Sequence, residues 1–220
     1  NMPQNKRILF AIMGWGLGHA TRSIPLIRSL LNNHEVILAS NGIALNLLRQ
    51  TFPDLKSVAF PDYAVRYPNN KCLLLPFIVL QLPKIILLLI KEYYQTKNFI
   101  VEENIQCIIS DSRYGVFSKK IPTFFITHQL RFQLPGILKH IEVLGEWFNV
   151  FMFHYYKQIF IMDTDKPDNL TGALSHSGKI VNHPKLCYLG IYSSIYMQDI
   201  EINIDILFSV SGPEIQRTLF

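Results

Sequence analysis

The sequence predicts an α/β protein built on a Rossmann-like parallel sheet with helices on both faces. Three observations carry this reading. Short apolar runs alternate with segments of helical period along the chain. The runs are apolar throughout and rich in β-branched residues, as strands buried on both faces are. A turn, Gly14-Trp15-Gly16-Leu17-Gly18-His19, joins the first run to the first helical segment. With 220 residues, 49% hydrophobic and 17% charged, the chain can bury one substantial core and is too apolar to be disordered.

The elements follow in order. Arg7–Met13 reads as the first strand, and His19–Leu31 as a helix through Ile24, Leu26, Ile27, Leu30 and Leu31, with Pro25 expected in its first turns, where a missing N–H costs least. Glu35–Ala39 is the second strand, Ser40-Asn41-Gly42 a turn, Ile43–Gln50 the second helix, and Ser57–Phe60 a short strand. Residues 61–72, with two aromatics, two prolines and two asparagines, read as an irregular loop. Leu73–Ile90 is apolar enough in length for a membrane span, yet Pro76, Gln81, Pro83 and Lys84 interrupt it. A charge at mid-bilayer costs about 3 kcal/mol. The favoured expectation is therefore a buried or cleft-lining helix, ahead of one dipping into a membrane face and well ahead of a true span. A helix through Glu102, strands Gln106–Ser110 and Thr123–Thr127, an aromatic-rich helix Ile137–Tyr155 and a strand Gln158–Met162 come next. A short strand at Lys185–Leu189 and a last one at Asp205–Val210 close the series, the latter followed by Ser211-Gly212-Pro213-Glu214.

The net charge of +5 is modest, and no Lys/Arg run interleaved with aromatics occurs, which argues against nucleic acid as a partner. Three scattered cysteines, Cys72, Cys107 and Cys187, form no C-x-x-C pair; neither a disulfide framework nor a metal site is expected, and a reducing, cytoplasmic setting fits. The apolar run after Lys6-Arg7 is short and ends in glycines rather than a cleavage site, so it reads as a strand and not a leader.

Ligands of such sheets bind at the carboxyl ends of the strands. The residues there are Gly14–Arg22, Ser40–Gly42, Asp111–Tyr114, His128–Arg131 and Asp163–Asp165. The glycine turn is neither G-x-G-x-x-G nor a P-loop, since His19 follows Gly18 and no Gly-Lys-Ser/Thr occurs; Asn41 stands where a dinucleotide site wants an acid. His19, in a first helical turn, favours the neutral imidazole that a general base needs. Asp111 ends the strand expected beside it and could hold its tautomer. The plainer readings are a capping His19 and a turn-capping Asp111. His128 and Gln129 suit a sugar hydroxyl, while Arg131 and Arg22 suit a phosphate. Asp163 and Asp165 read as a loop rather than a cation site.

Ile8–Leu26 (ILFAIMGWGLGHATRSIPL) resembles the opening of GT-B glycosyltransferases, above all the group around the lipid-linked N-acetylglucosaminyltransferase of peptidoglycan synthesis, glycosyltransferase family 28-like. Cys107–Ser112 and Pro122–Gln129 fall where that group has its fourth and fifth strands, and Leu189-Gly190-Ile191-Tyr192 resembles the close of its first domain. The resemblance implies an acceptor-side domain over residues 1–200 and the start of a nucleotide-sugar-binding domain over 201–220, with Ser211 and Gly212 at the donor phosphates. It implies His19 as base or acceptor-positioning residue and Asp111 as its partner. Trp15 and Leu17 depart from the small residues of the peptidoglycan branch.

The function expected is inverting hexosyl transfer from a nucleotide-sugar to an acceptor hydroxyl. His19 and Asp111 are catalytic, and Gly14, Gly16, Gly18, Arg22, His128, Gln129 and Arg131 bind substrate. No cofactor or metal is called for, and the 220-residue chain alone is expected to be inactive. The acceptor is a sugar or glycolipid, reached at a membrane surface on the inner face of the plasma membrane if Leu73–Ile90 docks there. The alternatives are a nucleotide-sugar epimerase of the same fold, which would need further carboxylates, and a non-catalytic sugar- or lipid-binding module.

Overall fold

The computed structural model describes residues 5–65, 74–131, 142–192 and 205–206. Seven strands form one sheet: β1 (Arg7–Ile12), β2 (Glu35–Ser40), β3 (Ser57–Ala59), β4 (Cys107–Asp111), β5 (Thr123–Thr127), β6 (Gln158–Ile161) and β7 (Leu186–Tyr188). Their order is β3-β2-β1-β4-β5-β6-β7, and every neighbouring pair is parallel. The helices are α1 (Gly18–Leu31), α2 (Gly42–Thr51), α3 (Leu74–Glu102), α4 (Glu142–Phe153) and the short α5 (Ala173–His176), followed by a 3-10 turn at Lys179–Asn182.

The period-2 side-chain alternation of β1 divides the core. Phe10 and Ile12 join Val36, Leu38 and the α1 and α2 residues Ile24, Ile27 and Leu48 on one face; Leu9 and Ala11 join Ile37, Ala39, Ile108 and Phe99 of α3 on the other. A third cluster, around Phe125, Phe153, Tyr156, Ile159 and Ile161, seats α4 against β5 and β6. Both faces of the central strands are thus covered, which is why those strands carry no polar alternation.

Two expectations need correction. Pro25 lies in the interior of α1, where its missing N–H leaves the carbonyl of Thr21 without a helical donor, and not in the first turns. The apolar stretch from residue 74 is one continuous helix through Pro83 to Glu102, and its amino-terminal part is exposed rather than buried. Val79, Leu80, Leu82, Ile86, Leu87 and Ile90 face solvent, whereas Glu92, Thr96 and Phe99 are buried. Length explains it: 29 residues of helix reach about 43 Å, roughly twice a six-residue strand, so half of α3 overhangs the sheet. The strand expected at Asp205–Val210 and all of Ser211–Glu214 lie outside the described residues, apart from Asp205 and Ile206.

Register places the chemistry. Ile12 pairs with Asp111, and Asp111 with Ile126, so the ends of β1, β4 and β5 finish level at one edge. The turn after β1, Asn41 after β2, Asp111, His128 after β5 and Asp163 after β6 share that edge.

Candidate active site

Asp111 is the hub. It is fully buried at the last position of β4, and the next residue, Ser112, takes a left-handed φ of 60°, which turns the chain away and leaves the carboxylate facing α1. His19 Nδ1 lies 3.0 Å from Asp111 Oδ1. Arg22 donates through Nε to Asp111 Oδ2 at 3.0 Å and through Nη2 to Oδ1. Ser23 Oγ donates to Oδ2 at 3.0 Å and Ser112 Oγ to Oδ1 at 3.2 Å. His19, Arg22 and Ser23 fall in the first two turns of α1, where residues three and four apart share a face. Burial alone would push the Asp111 carboxyl up; the Arg22 guanidinium and then His19 outweigh it and hold the group well below the usual carboxylate range. Asp111 is an anion throughout the physiological range.

His128 completes the group. Arg22 Nη1 approaches its Nδ1 to 2.6 Å, and the His19 and His128 rings lie 5.6 Å apart between centroids. Burial, then the charge of Arg22, pulls the His128 imidazole down to about 4, so it is neutral near pH 7. His19 Nδ1 also lies 2.8 Å from Arg22 Nη2. A proton on Nδ1 gives the bond to Asp111; a proton on Nε2 gives the bond from Arg22.

The glycine turn is shaped by its neighbours. A Cβ on Gly14 would fall 2.3 Å from Asn41 Oδ1, and Gly16 holds a φ of +73°, so both positions require glycine; Gly18 opens α1. Asn41 is fixed in turn by Arg113, whose Nη1 donates to Asn41 Oδ1 at 2.8 Å and to Ile12 O at 3.3 Å, and whose Nη2 donates to Pro61 O at 2.5 Å. Arg113 Nε donates to Glu92 Oε1 at 2.5 Å, with both side chains fully buried. Glu92 Oε2 also accepts from the Tyr63 hydroxyl and from Gly115 N–H. This network ties α3 to the ends of β1, β2 and β4 directly beneath the turn. Sequence reading missed Arg113, Glu92 and Ser23. The available signal was a lone carboxylate, Glu92, on an otherwise apolar helix face, since such groups are rarely buried unpaired.

The structure brings together His19, Asp111, Arg22 and His128, with the glycine turn alongside. Gln129 sits next to them with its backbone N–H donating to Thr127 Oγ1 at 3.0 Å. Arg131 is directed elsewhere: its Nε lies 2.5 Å from Glu146 Oε1, Nη2 donates to Glu142 at 3.3 Å and Nη1 to Ser177 at 2.9 Å. Two carboxylates thus offset the charge once expected to meet a phosphate. Asp163 accepts from the backbone N–H groups of Thr164, Leu170 and Thr171, from the Thr171 hydroxyl and from His176 Nε2. Among the described residues no group of three His, Cys, Asp or Glu side chains could hold a metal ion. Ser211 and Gly212 lie outside the described residues.

The fold is the Rossmann-like parallel sheet of GT-B glycosyltransferases. A glycosyltransferase from Rickettsia africae ESF-5 superposes with a TM-score of 0.50 at 14% identity, over 84% of this chain and 43% of that one. A UDP-glucosyltransferase from Polygonum tinctorium that glucosylates indoxyl gives 0.51 at 9% identity, over 74% and 48%. MurG of Acinetobacter baumannii gives 0.44 at 11%, over 74% and 42%. The chain spans half or less of the length of these solved proteins. In sequence, the family described as Glycosyl transferase family 1 matches residues 6–113, just under half of the chain, from β1 through Asp111 to Arg113. The matched stretch contains His19, Arg22 and Asp111. No curated protein matches the sequence.

Proposed function

We propose that this chain is the acceptor-side part of a glycosyltransferase that moves a sugar from a nucleotide-sugar to an acceptor hydroxyl with inversion. The observation that carries the reading is His19 Nδ1 at 3.0 Å from a fully buried, ionised Asp111 at the sheet's carboxyl edge. With the proton on Nδ1, His19 donates to Asp111 and its Nε2 lone pair is left for the acceptor. In the transfer, His19 Nε2 takes the hydroxyl proton, the acceptor oxygen attacks the anomeric carbon from the face opposite the diphosphate, and the nucleoside diphosphate leaves. Asp111 stabilises the imidazolium so formed. A second domain, beginning near residue 201 with Ser211 and Gly212, would hold the donor phosphates. Gln129 and the glycine turn would line the acceptor side.

The test uses the full-length protein, supplied with a panel of UDP- and dTDP-sugars and read by nucleoside diphosphate release. Transfer is expected with the native protein and a loss of about 10³-fold or more with Asp111→Asn. Unchanged release in that variant would remove His19 and Asp111 from the chemistry.

The overhanging part of α3 supports a membrane-borne acceptor. Its exposed apolar side chains are interspersed with exposed Lys84 and Lys91, while the helix's Glu92 is buried against Arg113. None of the described helices is long and apolar enough to cross a membrane; an apolar, lysine-bearing face suits a helix lying on an anionic surface. Flotation with phosphatidylglycerol vesicles, and none with phosphatidylcholine vesicles, is the expected result.

A further inference from the structure

Arg22 reads, from the sequence alone, as a phosphate ligand, but its guanidinium is turned into the site. Nε and Nη2 go to Asp111, and Nη1 points at His128 Nδ1 from 2.6 Å. A guanidinium can only donate, and His128 Nδ1, unlike His19 Nδ1 beside Asp111, has no carboxylate to donate to, so it must be the bare nitrogen. His128 is then the Nε2–H tautomer, a hydrogen-bond donor on its far side, and no described residue accepts from that Nε2. We propose that Arg22 is a positioning residue that locks His128 as a neutral Nε2–H donor beside the proton-accepting His19, so that the site reads two neighbouring acceptor oxygens, one deprotonated and one receiving a hydrogen bond.

The chemistry follows from the pairing. A donor aimed at the attacking oxygen itself would draw away the electron pair that must attack, so His128 serves the oxygen next to it. Rings 5.6 Å apart between centroids suit adjacent oxygens on one small molecule. A vicinal diol, as a sugar ring presents, has that form, whereas an isolated phenol or alcohol does not. The lock needs a fork: one arm on His128 and two on Asp111. Lysine cannot span all three, so Arg22→Lys keeps the charge and loses the geometry. The charged and titratable groups around His128 are Arg22, His19 and Asp111, and burial together with the first two opposes its protonation.

This inference rests on the glycosyl-transfer reading for its substrate class, but its direct test requires no turnover. Imidazole ¹⁵N shifts of the histidine-labelled full-length protein, followed from pH 5.5 to 8, should show His128 as a single Nε2–H tautomer that does not titrate. Free histidine in the same buffer is the reference. In Arg22→Lys the His128 signal should become a tautomer mixture and titrate towards the free imidazole value of about 6.5. A native His128 that titrates in that range, or that carries its proton on Nδ1, overturns the lock. So does a folded Arg22→Lys protein with the native His128 pattern; if that variant does not fold, the native pattern decides alone. Failure here would leave the His19–Asp111 base standing, while full transfer by Asp111→Asn would remove the base and leave the tautomer result intact. With transfer in hand, methyl glycosides lacking the hydroxyl next to the attacking one should lose at least tenfold in kcat/KM, and equal rates would overturn the diol assignment.

Discussion

Two buried aspartates close strands of the same sheet edge, and each has a histidine about 3 Å away: Asp111 with His19 at 3.0 Å, and Asp163 with His176 at 3.1 Å. Their surroundings separate them. Asp163 is enclosed by its own loop, accepting from Thr164, Leu170 and Thr171 within eight residues, and the His176 ring stacks on Tyr188 at 5.1 Å between centroids. Those hydrogen bonds overcome the cost of burial and hold Asp163 below the usual carboxylate range. Asp111 instead draws Arg22, His19 and Ser23 from 88 to 92 residues away, plus a second imidazole through Arg22. The contact also uses a different nitrogen: Nε2 of His176 but Nδ1 of His19. An Asp–His distance therefore does not mark a catalytic pair. What sets Asp111 apart is that groups from another element hold its carboxylate, the arrangement on which the proposed base rests.

The contrast can be broken by substitution. Asp111→Asn should cost about 10³-fold or more in kcat with a smaller change in stability, measured by steady-state kinetics and thermal unfolding on one preparation. Asp163→Asn should do the reverse, lowering stability by about 2 kcal/mol through lost charge-assisted hydrogen bonds while kcat stays within a few-fold. The largest loss of stability belongs to the network beneath the glycine turn. Glu92→Gln leaves Arg113 buried without its counter-charge, and about 3–5 kcal/mol of stability should go, read by urea unfolding.

The most gradual effect expected is on pH. His128 has a folded value of about 4, below its unfolded value of about 6.5. Between those limits the unfolded chain binds the proton and the native one does not, so stability falls as pH drops from about 6.5 to about 4, by on the order of 1–3 kcal/mol. The lowered His183 acts in the same direction. Denaturant midpoints for the native protein and His128→Gln should diverge in slope across that window, and parallel curves would put the sensitivity elsewhere. Below it, Asp111 and Asp163 add their own losses as they protonate.

Much of this was legible in the sequence because doubly buried strands are apolar without alternation, and glycine marks where they turn. Six of the seven strands lie close to where the apolar runs put them, and β7 falls within the short strand expected at Lys185–Leu189. His19, Asp111 and His128 were legible because parallel topology sends every strand's carboxyl end to one edge. What was not legible depends on length and on contacts far apart in sequence. The apolar composition of α3 looked like burial, but no local rule says that a 29-residue helix outruns the sheet it packs on. Arg113 drew no reading of its own within Asp111–Tyr114, since its partner Glu92 and the Asn41 it steadies lie 21 and 72 residues away. Arg22 carried the right charge for a phosphate, and only the geometry of Asp111 and His128 shows that its Nε, Nη1 and Nη2 each face a partner within the site.

The most direct measurement compares His19→Gln with His176→Gln in the full-length protein, by initial rates of nucleoside diphosphate release under one set of conditions. His19→Gln should lose about 10³-fold or more in rate while His176→Gln stays within a few-fold of the native protein. Equal rates in the two variants, or a greater loss in His176→Gln, would contradict it.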